Sequence, residues 1–176
     1  MDRLWAPWRK AYIRPDRKSR GCVFCRLFRQ KPDSRTYILK RTPFNFAVLN
    51  LYPYNNGHVM IVPNRHLASL KQLKPHEKLD WFSLCEEVMA AVQSGLKAQG
   101  VNLGMNFGKI AGAGIPGHLH LHIVPRWKGD ANFMPVVGGT KVISESLDSV
   151  YELLTRILKG APQKMKGSGC RKNVRR

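Results

Sequence analysis

Acidic side chains are scarce in this chain. Only 11 Asp and Glu stand against 30 Lys and Arg in 176 residues, a formal net charge of +19. Long apolar runs are missing as well. No stretch approaches the roughly 18 to 20 residues a bilayer-spanning helix needs, and Met1-Asp2-Arg3-Leu4-Trp5 lacks the apolar centre of a secretory signal. The expectation is a cytoplasmic protein that makes no membrane contact. Cysteine is sparse, at four residues, Cys22, Cys25, Cys85 and Cys170. A disulfide framework is therefore excluded, while Cys22 and Cys25 keep the spacing of a metal or redox pair. Internal repeats are absent, so a solenoid or propeller is excluded too.

What the chain does hold is enough apolar material for one domain, 43% hydrophobic residues with 4 Trp, 5 Tyr and 7 Phe. Its positive charge is concentrated at the ends. Residues 1–41 carry 13 Lys and Arg against 3 acids, residues 159–176 carry 7 against none, and the stretch between carries 10 against 8. Attraction for polyanions such as nucleic acid thus belongs to the termini, in the form of weak binding, and the centre needs another source of chemistry. We read residues 1–158 as one domain, opened by a basic arm (1–41) that contains the CxxC pair. Residues 159–176 form a basic tail too poor in apolar residues to fold.

Along the domain, Arg26-Leu27-Phe28 suggests a short helix. Phe44 to Asn50 and His58 to Val62 are runs of strand formers separated by Pro53-Tyr54-Asn55-Asn56-Gly57, which predicts a hairpin closed by Pro63. Pro75 marks a helix start, and Trp81, Leu84, Cys85, Val88, Val92 and Leu96 recur at helical spacing towards Gly100. Val101 to Phe107 alternates as a strand, a glycine-rich loop runs from Gly108 to Gly117, and His118 to Val124 reads as another strand. Ser146-Leu147 opens a last helix with Val150, Leu154 and Ile157 on one face. The order predicts an α+β fold, an antiparallel sheet with one long and one C-terminal helix.

The chemistry is concentrated in His118-Leu119-His120-Leu121-His122. On a strand the three imidazoles share one face and the leucines the other. Three buried imidazoles kept only for packing would be costly, because each needs hydrogen-bond partners. Two functional readings follow: a metal site, since imidazole is a common ligand, or a nucleophile, His120, positioned by its neighbours. Gly112, Gly114 and Gly117 lie just upstream, where backbone N–H groups can face a bulky anion. No carboxylate pair accompanies the histidines, which favours phosphoryl or nucleotidyl transfer over a two-metal reaction.

The run His118-Leu119-His120-Leu121-His122-Ile123-Val124 resembles the signature of the histidine-triad (HIT) superfamily, three histidines alternating with apolar residues. Leu49 to His58 with Pro63 and His66, and Asn106-Phe107-Gly108, are similar to other elements of that family. Leu4-Trp5-Ala6-Pro7-Trp8-Arg9, the loop Ala111–Gly117 and Pro125–Phe133 resemble its bacterial diadenosine tetraphosphate (Ap4A) phosphorylase and hydrolase branch. The resemblance spans nearly everything from Leu4 to Leu158.

It implies a HIT-like fold and attack by His120 on the α-phosphorus of a nucleoside polyphosphate. A nucleotidyl-histidine would form and pass its nucleotide to water or phosphate. His118, His122 and His58 would be the other catalytic residues. Asn50 would contact ribose, and Asn106, Gly108, Gly112, Gly114 and Ile115 would complete the substrate contacts, with Lys109 and Arg126 available to screen phosphate charge. The resemblance also offers His66 and His118 to complete a structural zinc site with Cys22 and Cys25, no organic cofactor, and a homodimer. Alternatives to cleavage of dinucleoside polyphosphates are a nucleic-acid-binding or adenylated-end-processing protein that uses its basic termini, and a nucleoside phosphoramidase.

Overall fold

The computed structural model describes residues 21–130 and 145–160. Trp5, Trp8, Phe133, Cys170 and residues 161–176 of the basic tail lie outside them. Within them the order is helix α1 (Val23–Arg29), strands β1 (Ile38–Arg41), β2 (Asn45–Leu49) and β3 (Val59–Pro63), helix α2 (Pro75–Leu96), strands β4 (Gly100–Gly104) and β5 (Leu121–Arg126), and helix α3 (Leu147–Leu158). The sheet order is β1-β2-β3-β5-β4 and every neighbouring pair is antiparallel. This is the expected α+β architecture.

Both faces of the central strands are covered, so β2 and β3 are buried at every position. Alternation then sorts their side chains into two apolar layers. Ala47, Leu49, Val59, Ile61, Leu121 and Ile123 meet α2 and α3 through Trp81, Leu84, Val88, Val92, Val150 and Leu154. Phe46, Val48, Met60 and Val62 face the other way and pack with Phe24 of α1. The α1 side also carries the histidines, since Met60 stands opposite His122 in the β3–β5 ladder. Gly95 lets α3 come close to α2, because a Cβ there would meet Ile157 Cδ1 at 2.6 Å.

Three expectations are refined. β1 is an additional edge strand, short and ending in Lys40-Arg41, paired to β2 with an irregularity between Ile38 and Lys40. The residues between β2 and β3 form a wide loop rather than a tight hairpin turn. Asn50 N–H donates to His58 O at 2.9 Å, and Asn55 Nδ2 ties the loop to Pro125 O at 3.0 Å. Gly57 sits there with φ +69° beneath Leu96, whose Cδ1 would lie 2.2 Å from a Cβ. Finally, β5 begins at Leu121 and not at His118. The ladder between β3 and β5 ends at the Ile61–Leu121 pair, and Pro63, two residues on, has no N–H to extend it. Leu119 N–H therefore bonds Leu67 O at 2.7 Å, outside the sheet.

The start of α2 is secured by Glu77. Its carboxylate takes two hydrogen bonds of 2.7 Å from Arg65 and one of 2.8 Å from the Lys74 N–H. The Arg65 bonds first, then the Lys74 amide, hold its pKa down at about 2, below the ordinary 4.5. A carboxyl depressed on folding adds stability that is complete above the unfolded value and lost as pH falls through the folded one. Unfolding midpoints of the native chain should thus fall between pH 4.5 and about 2. Glu77→Gln should flatten that dependence and cost about 1 to 2 kcal/mol at neutral pH, a modest loss because Arg65 is half exposed. Equal pH profiles for the two proteins would refute this role.

Candidate active site

The wide loop after β2, the glycine-rich loop and the segment entering β5 meet on the α1 side of the sheet. Their cleft is lined by Asn50, Tyr52 and Tyr54 from the first, Gly112 and Gly114 from the second, and His120 and His122 from the third. His58, His118, His120 and His122 are all buried. Burial makes each ring nitrogen answerable to a partner.

Backbone partners fix the protons on three of these rings. His120 Nδ1 lies 2.8 Å from His118 O, which can only accept. Nδ1 therefore carries the proton and Nε2 keeps its lone pair. His58 Nδ1 receives the Tyr54 N–H at 3.0 Å and the Asn50 amide at 3.3 Å. The Asn50 orientation is set in turn by its Oδ1, which accepts from Tyr52 N–H at 3.0 Å. In the neutral ring the His58 proton is on Nε2, which donates to His122 Nδ1 at 2.9 Å. The His122 proton is then on Nε2. His118 donates from Nε2 to Pro63 O at 2.9 Å and turns Nδ1 towards Cys22 Sγ at 3.2 Å and Cys25 Sγ at 3.6 Å.

Burial pushes the His120 imidazole below its ordinary pKa, against the His118 carbonyl, which favours the charged form. Burial lowers His118 too, opposed by the Pro63 carbonyl and reinforced by His66 and His120. A neutral His120 with a fixed Nδ1–H and a lone pair on Nε2 is equipped to attack an electrophile. His122, held by His58, stands beside it with ring centroids 5.0 Å apart.

His118 differs from its two partners, since both its nitrogens are engaged away from the cleft. Its Nδ1 joins Cys22, Cys25 and His66, whose ligand atoms all lie within 4.8 Å of one another. Cys25 Sγ is 3.4 Å from His66 Nδ1. A tetrahedral zinc with ordinary Zn–S and Zn–N bonds spaces sulfur and nitrogen about 3.6 Å apart, so the donor set and its spacing suit zinc. The Pro63 carbonyl supplies the outer hydrogen bond that orients a ligating imidazole.

The sequence profile of the HIT domain matches residues 30–129. The chain belongs to the HIT family. Among its relatives, an AP-4-A phosphorylase of Mycobacterium tuberculosis is 35% identical over 161 residues, covering 88% of this chain and 83% of that protein. A bis(5'-nucleosyl)-tetraphosphatase of Schizosaccharomyces pombe is 37% identical over 53% of this chain and 50% of its own length. Among solved structures, a Zn-bound histidine triad protein of Mycobacterium smegmatis superposes with a TM-score of 0.65 at 25% identity, covering 80% of this chain and 94% of that one.

Of the residues the HIT resemblance singled out, the fold brings Asn50, Gly112, Gly114, His120 and His122 to the cleft, with His58 directly behind His122. Gly108, at φ +81°, and half-buried Asn106 stand where the glycine-rich loop begins. Ile115 packs on the Phe24 layer. Arg126 is engaged with Asp130 at 2.6 Å and Asn102 at 3.0 Å, which ties it to the β4–β5 edge. Lys109 is exposed.

Sequence reasoning gave no role to Tyr54 or Phe24. Tyr54 stacks on His58 at 4.6 Å and His122 at 5.5 Å. Phe24 contacts the rings of His118 at 5.5 Å and His120 at 5.1 Å. The available signals were an aromatic four residues before His58 and another enclosed by the CxxC pair.

Removing the donor that fixes His122 gives a direct check. In His58→Phe the His122 ring should populate both neutral tautomers, visible in nitrogen-15 histidine spectra. Retention of the native Nε2–H pattern would show that something other than His58 sets it.

Proposed function

We propose that this HIT enzyme cleaves dinucleoside polyphosphates of the Ap4A type through a nucleotidyl-histidine on His120. The observation that carries the reading is the orientation of His120, whose Nδ1–H is bound to the His118 carbonyl while its ring lines the cleft. Similarity to the M. tuberculosis AP-4-A phosphorylase over most of both chains supports the choice of substrate.

The proposed steps assign each of these residues a role. The N–H groups of Gly112 and Ala113 bond Lys109 O and Gly108 O and so shape the loop, and the other backbone N–H groups around Gly114 receive phosphate oxygens, with Asn106 and Gly108 at the entrance and Ile115 holding the loop to the layer beneath. Asn50, already oriented at the cleft wall, meets the ribose. His120 Nε2 attacks the α-phosphorus, forming an N–P bond as the P–O bond to the departing nucleoside polyphosphate breaks. His122 carries its proton on Nε2 and stabilises phosphate oxygen and the leaving oxygen, while His58 keeps it in that tautomer. Water or inorganic phosphate then attacks the same phosphorus and frees His120.

We assign zinc to Cys22, Cys25, His66 and His118 as a structural ion. Four protein ligands fill a tetrahedral site, so it would tie α1 to the segment entering β5 without bonding substrate. His118 is then a positioning residue, and no organic cofactor is required. We also propose a homodimer in the cytoplasm. Among the described residues, no helix is long and apolar enough to cross a membrane.

The first test incubates purified protein with Ap4A, with and without inorganic phosphate. ADP and ATP formed only with phosphate identify a phosphorylase, and AMP with ATP formed without it identifies a hydrolase. His120→Ala should lower turnover by about a thousandfold or more. No turnover of dinucleotides by the native chain, or undiminished turnover by the variant, would refute the assignment. In that case nucleic-acid affinity falling steeply with salt and lost on deleting residues 159–176 would favour binding through the basic termini. Metal analysis should find stoichiometric zinc in the native protein and much less in Cys25→Ser.

A further inference from the structure

The peptide unit joining His118 to Leu119 is gripped from both ends. Its oxygen accepts the His120 Nδ1–H at 2.8 Å, and its N–H donates to Leu67 O at 2.7 Å. Each end of the second bond adjoins a member of the Cys/His cluster. Leu67 follows His66, and the peptide itself follows the His118 Cα. Rings of His66 and His118 meet edge to face at 5.0 Å. Whatever draws these two imidazoles onto a common centre also holds Leu67 O against the peptide whose oxygen orients the nucleophile.

A second link runs through α1. Cys22 caps that helix, Cys25 lies in its first turn, and Phe24 projects between them, 1% exposed, onto the rings of both His118 and His120. The two thiols therefore fix where Phe24 sits, and Phe24 limits how the His120 ring can turn about its Cα–Cβ bond.

We infer that the Cys22, Cys25, His66 and His118 cluster, with Phe24, is the positioning device of His120: it fixes the 118–119 peptide plane and the ring wall, and through them the tautomer and aim of the nucleophile. This rests on the proposed zinc site and on His120 as nucleophile, and goes beyond a role for zinc in holding the fold together. A ring held only by its own side-chain torsions would exchange tautomers and rotate, and small misplacement of a reacting atom is costly in rate.

The test follows the His120 imidazole by nitrogen-15 NMR in the full chain, with zinc bound and after removal of zinc by EDTA, with circular dichroism recorded on the same samples. The zinc-loaded protein should show a single Nδ1–H tautomer for His120. Stripping zinc should give a mixture of tautomers while helix content persists, and readdition of zinc should restore the single form. An unchanged Nδ1–H tautomer in folded, zinc-free protein overturns the inference, as does a chain that takes up no zinc.

Should EDTA unfold the chain, zinc-loaded Phe24→Leu decides instead. Its kcat should fall about tenfold with KM within about twofold of native, alongside a broadened or mixed His120 signal. Native kcat and a native His120 spectrum in that variant would overturn the inference. The spectra need no substrate. A change of tautomer on zinc removal in a protein that cleaves no dinucleotide would sustain this inference while refuting the proposed function.

Discussion

The arrangement of this site follows from one constraint, the burial of four imidazoles on a sheet face that is otherwise apolar. Met60, Val62 and Phe24 surround the histidines and offer no hydrogen bonds. Each ring takes at least one partner from the backbone or from another ring, and a backbone carbonyl or N–H permits one proton placement only. That is how an apolar environment fixes tautomers. His118 carbonyl, Pro63 carbonyl and Tyr54 amide each dictate one ring, and the His58–His122 pair inherits its direction from the last of them.

Pro63 shows how one residue serves both fold and site. The β3–β5 ladder ends at the Ile61–Leu121 pair, and Pro63, two residues further on, has no N–H with which to extend it, so the chain from His118 to His120 lies outside the strand. The Pro63 carbonyl, left without a sheet partner on that side, takes the His118 Nε2 proton. The released segment bends its peptide towards Leu67 and its rings towards two different environments. His118 meets the thiols, and His120 and His122 line the cleft. A regular strand would have aimed all three imidazoles alike, as sequence alternation suggested, and could not have set His118 beside the thiols while His120 and His122 line the cleft.

Much of this was legible beforehand for physical reasons. The long stripe on α2, Pro75 at its start and the Ser146 cap of α3 are local signals that packing reinforced. Alternation in β2, β3 and β5 assigned the leucines and histidines to opposite faces, and CxxC spacing marked Cys22 and Cys25 as a metal or redox pair, which the fold brings to His66 and His118. Other features depended on contacts distant in sequence. β1 is too short and too basic at its end to be seen without β2 beside it. Asn55 looks like a turn residue, yet it is buried and bonded to Pro125 O and Asp130. Arg126 reads as a free cation until Asp130 and Asn102 are placed around it. Phe24 and Tyr54 read as ordinary aromatics because nothing local reveals that histidine rings lie against them.

The two sides of the sheet consequently do different work. Facing α2 and α3, Leu119, Leu121 and Ile123 join a large, close-packed layer in which shape and volume are what matter. Facing α1, the intervening histidines join a thinner layer in which hydrogen-bond direction matters more than volume. Because His122 alternates with Leu121 and Ile123 along β5, the large layer cannot shift without carrying that imidazole with it. The rigidity of the helix side is thereby imposed on His122, while the short α1, through Phe24 and its paired thiols, closes off the rings of His118 and His120.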